Sequence, residues 1–402
     1  MIRRLWLGQG MTLLTLVCTA YPLWGAEAVN PILEKQQRKG ELGQEIAKLQ
    51  QPQWHYGGFV DLGYSLNFSF PENHLFRGRS TTPRVNELDL NMVGAYIRKD
   101  VSEQSRWGME LLAHSGQDAK EYGFETGLSR VGSSDQLRHF GRANVSYLAP
   151  IGNGLTVQAG LFPSLVGYES LYAKDNFSYT RTWIADHSPY LMFGANASYP
   201  LTDSVTATVF IINSYFHLSH ANNLPTYGAH VAYTPTPRWT VKQAFLYGPE
   251  QANTALEFWR LFSDTIIQWK DRAVTVAFEQ QIGTETLAIT GSPRAFWIGY
   301  ALPAHWRIQG PWSVTLRPEL FYDPNGVISK SEQFVKAVTT TLEYKVPYAW
   351  TNTILRLEYR FDESTGSGGG FFKNGQIAPG VIGLTAAQHL LIFAAIWTFD
   401  SP

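Results

Sequence analysis

The stretch Leu155-Thr156-Val157-Gln158-Ala159-Gly160-Leu161-Phe162-Pro163 decides the fold. Leu155, Val157, Ala159 and Leu161 alternate with Thr156, Gln158, Gly160 and Phe162, the period of a strand with one apolar face. After Pro163 the alternation stops, and the chain to Pro189 is rich in Tyr, Ser, Asn, Asp and Gly. It restarts at Leu191, Phe193, Ala195, Ala197 and Tyr199. A connection of this length exceeds the roughly 12–15 residues that compact domains tolerate without a use for them. It is expected to fold inward across a membrane barrel and narrow the pore; the alternative is a loop that projects outward without touching the pore.

The same alternation runs from Trp54 to Phe399. Trp54, Tyr56, Gly58, Val60, Leu62, Tyr64, Leu66 and Phe68 share one face, against His55, Gly57, Phe59, Asp61, Gly63, Ser65 and Asn67. About sixteen such segments follow one another, the even number that a barrel with both ends on one side of a membrane requires. They start near Trp54, Val85, Arg106, Arg138, Leu155, Tyr190, Val205, Thr226, Trp239, Glu257, Ala273, Arg294, Trp312, Lys336, Thr353 and Gln388. Connections alternate in length: short at 98–105, 150–154, 200–204, 235–238, 270–272 and 346–352, long at 69–84, 115–137, 163–189, 214–225, 325–335 and 362–387. Those at 248–256 and 283–293 are moderately long, and 303–311 is long for a turn. A soluble sandwich gives no reason for every second connection to be long.

Composition agrees with a lipid-facing surface. Only 16% of the 402 residues are charged, against roughly 25% in soluble domains, while 14% are aromatic. Net charge is −1 and there is no Lys/Arg-rich run, which argues against nucleic acid as a partner. Residues 1–28 read as a signal peptide: Arg3 and Arg4, an apolar run from Leu13 to Cys18, and Ala26-Glu27-Ala28 at the cleavage site. Cys18, the one cysteine, lies inside it without the small preceding residue of a lipoprotein signal. Residues 29–53 form a periplasmic segment with a short N-terminal helix at 31–50, weakened by Gly40 and Gly43; a solvated linker is the alternative. Residues 54–402 make the barrel. No apolar run in the mature part reaches the length of a spanning helix, so a membrane crossing is by strands.

The opposite face of the strands carries charge at mid-strand, as in Ile354-Arg356-Glu358-Arg360 against Leu355-Leu357-Tyr359-Phe361. A charge facing lipid at mid-depth costs roughly 2–4 kcal/mol, so this face should line water. The expected pore lining is Glu87, Asp89, Arg106, Arg142, Arg260, Arg317, Glu319, Lys345, Arg356, Glu358 and Arg360. Basic residues gathered on the last strands would set a transverse field against Glu87 and Asp89; mutual neutralisation is the alternative. Glu169, Asp175 and Arg181 are the expected constriction residues of the third long loop. Aromatic residues gather at strand ends as interfacial girdles, and Phe393, Ala395, Trp397 and Phe399 form a closing strand of the kind the barrel-assembly machinery reads.

Several short motifs resemble the second, OmpL-like group of putative β-barrel porins of Gram-negative outer membranes. They are Ala159-Gly160-Leu161-Phe162, Gly167-Tyr168-Glu169, Asp175 to Arg181, Pro189-Tyr190 with Gly194, and Leu355 to Asp362 with Ser364. The resemblance runs from about Trp54 to Phe399. It implies an all-β transmembrane antiparallel barrel in the outer membrane that passes small hydrophilic solutes or ions by diffusion. It supplies no catalytic residues and no cofactor, and a homotrimer follows only by analogy with porins of this size. No enzyme motif is evident, and His217 and His220 lack the further ligands of a metal site. A structural or adhesive barrel with a plugged lumen is the alternative reading.

Overall fold

The computed structural model describes residues 54–121, 137–216, 218, 223–251, 256–287, 294–347 and 351–401. The expected signal peptide, the helix at 31–50 and the pair His217 and His220 lie outside them. The strands are β1 (Trp54–Asn67), β2 (Leu88–Lys99), β3 (Trp107–Ser115), β4 (Phe140–Ala149), β5 (Leu155–Pro163), β6 (Leu191–Pro200), β7 (Val205–Ile212), β8 (Thr226–Thr236) and β9 (Trp239–Pro249). They continue as β10 (Trp259–Lys270), β11 (Val274–Glu285), β12 (Ala295–Ala301), β13 (Ala304–Gln309), β14 (Trp312–Asp323), β15 (Gln333–Pro347), β16 (Thr351–Thr365), β17 (Phe371–Ala378), β18 (Val381–Thr385) and β19 (Ala387–Asp400).

β12 and β13 both pair with β11 and with β14, so they are two halves of one broken strand. Sequential neighbours pair antiparallel around the sheet, and β1 closes it on β19, from Gly57↔Asp400 to Asn67↔Leu390. The result is a closed antiparallel barrel of sixteen staves. Closure gives every stave two neighbours, the condition for strands to stand in hydrocarbon. No helix among the described residues is long and apolar enough to cross a membrane.

Alternation sorts the side chains as the strand period requires. On β14, Leu316 (50% exposed) and Leu320 face outward while Thr315, Arg317 and Glu319 are buried inside. On β16, Leu355, Leu357 and Tyr359 face outward and Arg356, Glu358 and Arg360 inward. The inward face is not polar along its whole length. Toward the long-loop end it turns apolar, and Phe262, Trp297, Phe321, Val335 and Leu390 pack there against Phe76, Trp183 and Phe371 from the long loops.

Two connections differ from the sequence reading. The segment 303–311 is not a turn: the strand resumes at Ala304, and the turn is Gly310-Pro311 with Gly310 at φ 57°. Pro303 causes the break, because it brings no N–H to the ladder; its carbonyl still accepts from the Ala277 N–H at 2.9 Å. The last long connection, 366–386, holds the hairpin β17–β18. Arg77 of the first long loop ties the two loops together, donating to the carbonyls of Gly368 at 2.9 Å and Gly370 at 2.7 Å.

At the start of the third long loop, β4 and β5 approach closely at Gly160, which has φ +120° and room for no side chain: an added Cβ would lie 2.3 Å from the Ala143 carbonyl oxygen. Gly160→Val is expected to lose about 1–3 kcal/mol from the backbone conformation alone, with the clash in addition. The check is the gel-mobility shift between unheated and heated samples, where the variant should lack the compact unheated band.

Candidate functional site in the barrel lumen

The third long loop, 164–190, leaves β5 where Pro163 ends the ladder and returns to β6. Its neck is closed by the Ser164 N–H on the Tyr190 carbonyl at 3.0 Å. Between these points the backbone is irregular apart from a 3-10 turn (Ala173–Asp175) and one helical turn (Trp183–Asp186) capped by Thr182. An irregular buried backbone carries donors and acceptors that no sheet satisfies, and each must be paired.

Charged side chains of the wall pair them. Carboxylates take the N–H groups: Asp264 that of Gly167 at 2.8 Å, Glu279 that of Tyr168 at 3.1 Å, and Glu319 that of Trp183 at 2.6 Å. Glu358 takes two, from Tyr179 at 2.6 Å and Thr180 at 3.0 Å. Guanidinium groups take the carbonyls: Arg356 donates to Ala173 at 2.7 Å, to Ser178 at 3.1 Å and to Asn176, Arg317 to Thr180 at 2.6 Å, and Arg360 to Arg181 at 3.0 Å. Side chains add Tyr179 Oη on Asp61 at 2.7 Å and Trp183 Nε1 on Asp362 at 2.8 Å. Hydrogen bonds of this charge-assisted kind are each worth about 1.5–3 kcal/mol net. The loop thus covers the wall from β10 round to β1.

The three expected constriction residues part company. Glu169 pairs with Arg317 at 2.6 Å and accepts from the Thr182 N–H at 2.6 Å. Arg181 is fully buried, paired with Asp118 at 3.1 Å and donating to the Leu171 and Tyr179 carbonyls. Asp175 is the exposed one, held by Lys174 at 2.7 Å. On the wall, Arg317, Glu319, Arg356, Glu358 and Arg360 lie beneath the loop, at most 4% exposed. Arg260 is buried against Glu285 at 2.7 Å, and Arg142 pairs with Glu110. Glu87 and Asp89 are partly buried at the long-loop end of β2, Glu87 on Arg84. Arg106 precedes β3 and donates to the Leu148 carbonyl at 3.2 Å. Lys345 is exposed at the short-turn end, 3.4 Å from Glu343.

Open space remains along the other wall. A cavity of about 410 Å³ at the short-turn end is lined by β2 to β7, with Glu110, Asn144, Gln158, Asn196, Ser198 and Thr208 among its residues. Three amides form a file there: Asn196 donates to Gln158 at 3.0 Å, Gln158 to Asn144 at 2.8 Å, and Asn144 to the Leu161 carbonyl at 2.9 Å. Sequence reasoning missed this file because it looked for charge; the inward parity of Gln158 was the available signal. It also missed Asp118, which sits on a helical turn (Gln117–Glu121) of the second long loop. Among the described residues no cluster of three His, Cys, Asp or Glu could hold a metal.

Two outcomes follow from this anchorage. Removing the Glu358 carboxylate strands two buried N–H groups and leaves cations beside it uncompensated, so Glu358→Ala should cost about 3–5 kcal/mol. The folded variant should be cut by trypsin within 164–190 where the wild type resists. The second concerns pH. Asp118 also accepts from the Thr82 N–H at 2.7 Å, but burial outweighs the Arg181 guanidinium and pushes its carboxyl up to about 7. A carboxyl raised on folding adds stability below its ordinary value of 3.8, and that share is lost as pH rises through about 7. Urea unfolding in detergent should show this loss in the wild type and not in Asp118→Asn; parallel pH profiles would contradict it.

The comparisons with known proteins agree with this geometry. The family model described as putative beta-barrel porin-2, OmpL-like, matches residues 53–399. No curated protein matches the chain. Among solved structures, the outer membrane channel DcaP of Acinetobacter baumannii aligns over 87% of this chain and 97% of its own, with TM-score 0.54 and 9% identity. OmpT, an outer membrane protein of Vibrio cholerae, aligns over 88% and 99%, with TM-score 0.51 and 9% identity. Salmonella typhi OmpF, in complex with daunomycin, aligns over 87% and 97%, with TM-score 0.53 and 9% identity. At such identities the likeness speaks for the barrel alone, and the family match carries the rest. The chain belongs to the putative β-barrel porin-2, OmpL-like family: it is a porin of the bacterial outer membrane.

Proposed function

We propose that small hydrophilic solutes diffuse along the wall of β3 to β7, past Asp175, while the third long loop closes off the remainder of the lumen. The carrying observation is the partition of polar groups inside the barrel. Charges such as Asp264, Glu279, Arg317, Arg356 and Glu358 on β10 to β16 are taken up by the loop backbone, and the open cavity is bordered by amides and hydroxyls together with Arg98, Lys99, Asp100 and Glu110. Its volume, about 410 Å³, lies within the range of small-molecule sites, roughly 300–1,000 Å³. The charges on this side are held within the wall: Glu110 by Arg142, Asp100 by Arg98 at 3.0 Å, and Lys99 by the Trp107 carbonyl at 2.6 Å. Selection is therefore by size and by hydrogen bonding, with little preference between anions and cations and with no bond chemistry. Glu169 and Arg181 act in the constriction by fixing the loop, and Asp175 is the side chain a solute meets.

A second reading, a structural barrel with a closed lumen, has its own support: Phe76, Trp183, Phe321 and Phe371 pack together at the long-loop end. Residues 1–28 act as a cleaved signal and 29–53 as a periplasmic segment in either reading. The Vibrio cholerae OmpT barrel is described in a trimer form, and we propose that this chain too is a homo-oligomer.

Planar bilayer recordings separate the two readings. Stepwise conductance with a cation-to-anion permeability ratio near unity is expected, and a chain lacking 170–182 should conduct more, since Arg317, Arg356 and Glu358 then meet water. A folded wild type without conductance steps would establish the closed barrel instead.

A further inference from the structure

Outward positions at mid-strand are apolar or aromatic almost everywhere on the barrel. On β9 to β11 the rule breaks. Gln243, Thr265 and Gln280 stand in one row across three strands, with Gln243↔Thr265 and Thr265↔Gln280 in register. Their outward direction follows from their neighbours: Ala244, Asp264, Glu279 and Gln281 are buried inside, whereas Phe245, Phe278 and Ile282 are exposed outside. Ser263, two residues before Thr265, extends the patch.

Depth makes the row unusual. Gln243 is the fifth of eleven residues of β9, and Thr265 and Gln280 are each the seventh of twelve in their strands. Paired Trp239 and Trp269 lie at one end, and Tyr247 against Trp259 at the other, with ring centroids 5.4 Å apart. The row therefore sits between two aromatic girdles, where lipid is pure hydrocarbon. Part of its polarity is satisfied within the chain. Thr265 Oγ1 donates to Gln243 Oε1 at 2.6 Å, and Gln243 Nε2 donates to Ser263 Oγ at 3.0 Å. The Gln280 amide makes no hydrogen bond among the described residues.

Hydrocarbon can neither donate nor accept, so an amide at this depth requires protein against it. A primary amide carries both functions. The row Gln243-Thr265-Gln280 is thus complementary to the same row on another copy, and the exposed Phe245, Leu261, Ile267, Phe278 and Ile282 around it supply an apolar surround. Headgroups lie a girdle away and cannot reach it.

We infer that the outer face of β9 to β11, centred on Gln280, is the surface on which a second copy of this chain docks. This rests on the homo-oligomer reading above and adds the surface. The test uses the full-length chain in outer membranes, with a benzophenone amino acid replacing Gln280 and, as control, replacing the outward Leu357 on β16, four staves away around the barrel. Irradiation should yield a product of twice the chain mass from position 280, containing only this chain by mass spectrometry, and none from position 357. Cross-links from 280 to lipid alone or to a different protein would overturn the inference.

A second variant keeps the inference open to refutation if the bulky group hinders assembly. The pair Gln243→Leu and Gln280→Leu should keep the heat-shifted folded band yet raise the monomer fraction on native gels at least tenfold. An oligomer untouched by both leucines refutes the surface while sparing the oligomer. A wild type that is monomeric in mild detergent refutes both.

Discussion

Everything in the lumen depends on one requirement: a chain segment that leaves the sheet inside the barrel must find partners for its own N–H and C=O groups. Staves satisfy one another, but the third long loop follows no strand. Its partners are ionised side chains on inward positions of the wall, carboxylates under its donors and guanidinium groups under its acceptors. Burying those charges would be costly if they met only one another. Wall and loop each remove the other's unmet polarity, which explains why neither Arg317 nor Glu358 retains contact with water.

The barrel's handling of polarity accordingly has three zones. Toward the long-loop end, aromatic groups from the loops and the wall exclude water. In the middle, the charged wall of β14 to β16 is spent on the loop. On the far side, amides, hydroxyls and paired charges, Arg98 with Asp100 and Glu110 held by Arg142, border the open cavity. A solute therefore meets a surface much less charged than the count of inward Arg, Glu and Asp suggests.

Much of the fold was legible because the strand period is two and lipid tolerates few exceptions. Leu355-Leu357-Tyr359 against Arg356-Glu358-Arg360 leaves one assignment of faces. Alternating loop lengths fixed which strand ends share a side, though the break at Pro303 was hidden because the missing N–H imitates a turn. Parity also sent Glu319, Arg356 and Arg360 inward. It could not say what they would meet there, since that depends on the path of a loop whose own pattern is aperiodic. Arg181 illustrates the limit. Its place in the third long loop marked it as a lumen residue, yet its partner Asp118 comes from a different loop and no spacing connects them.

Many of the anchoring bonds run from wall side chains to loop backbone, and backbone is the same whatever residue bears it. The two sides are therefore under unequal pressure as sequences drift. Wall positions such as Glu358 and Arg356 must keep their charge, while at a loop position such as Ala173 the wall binds only the carbonyl oxygen, which any side chain there would still offer. A channel built this way can retune what its loop presents to a passing solute without rebuilding the scaffold that holds the loop in place.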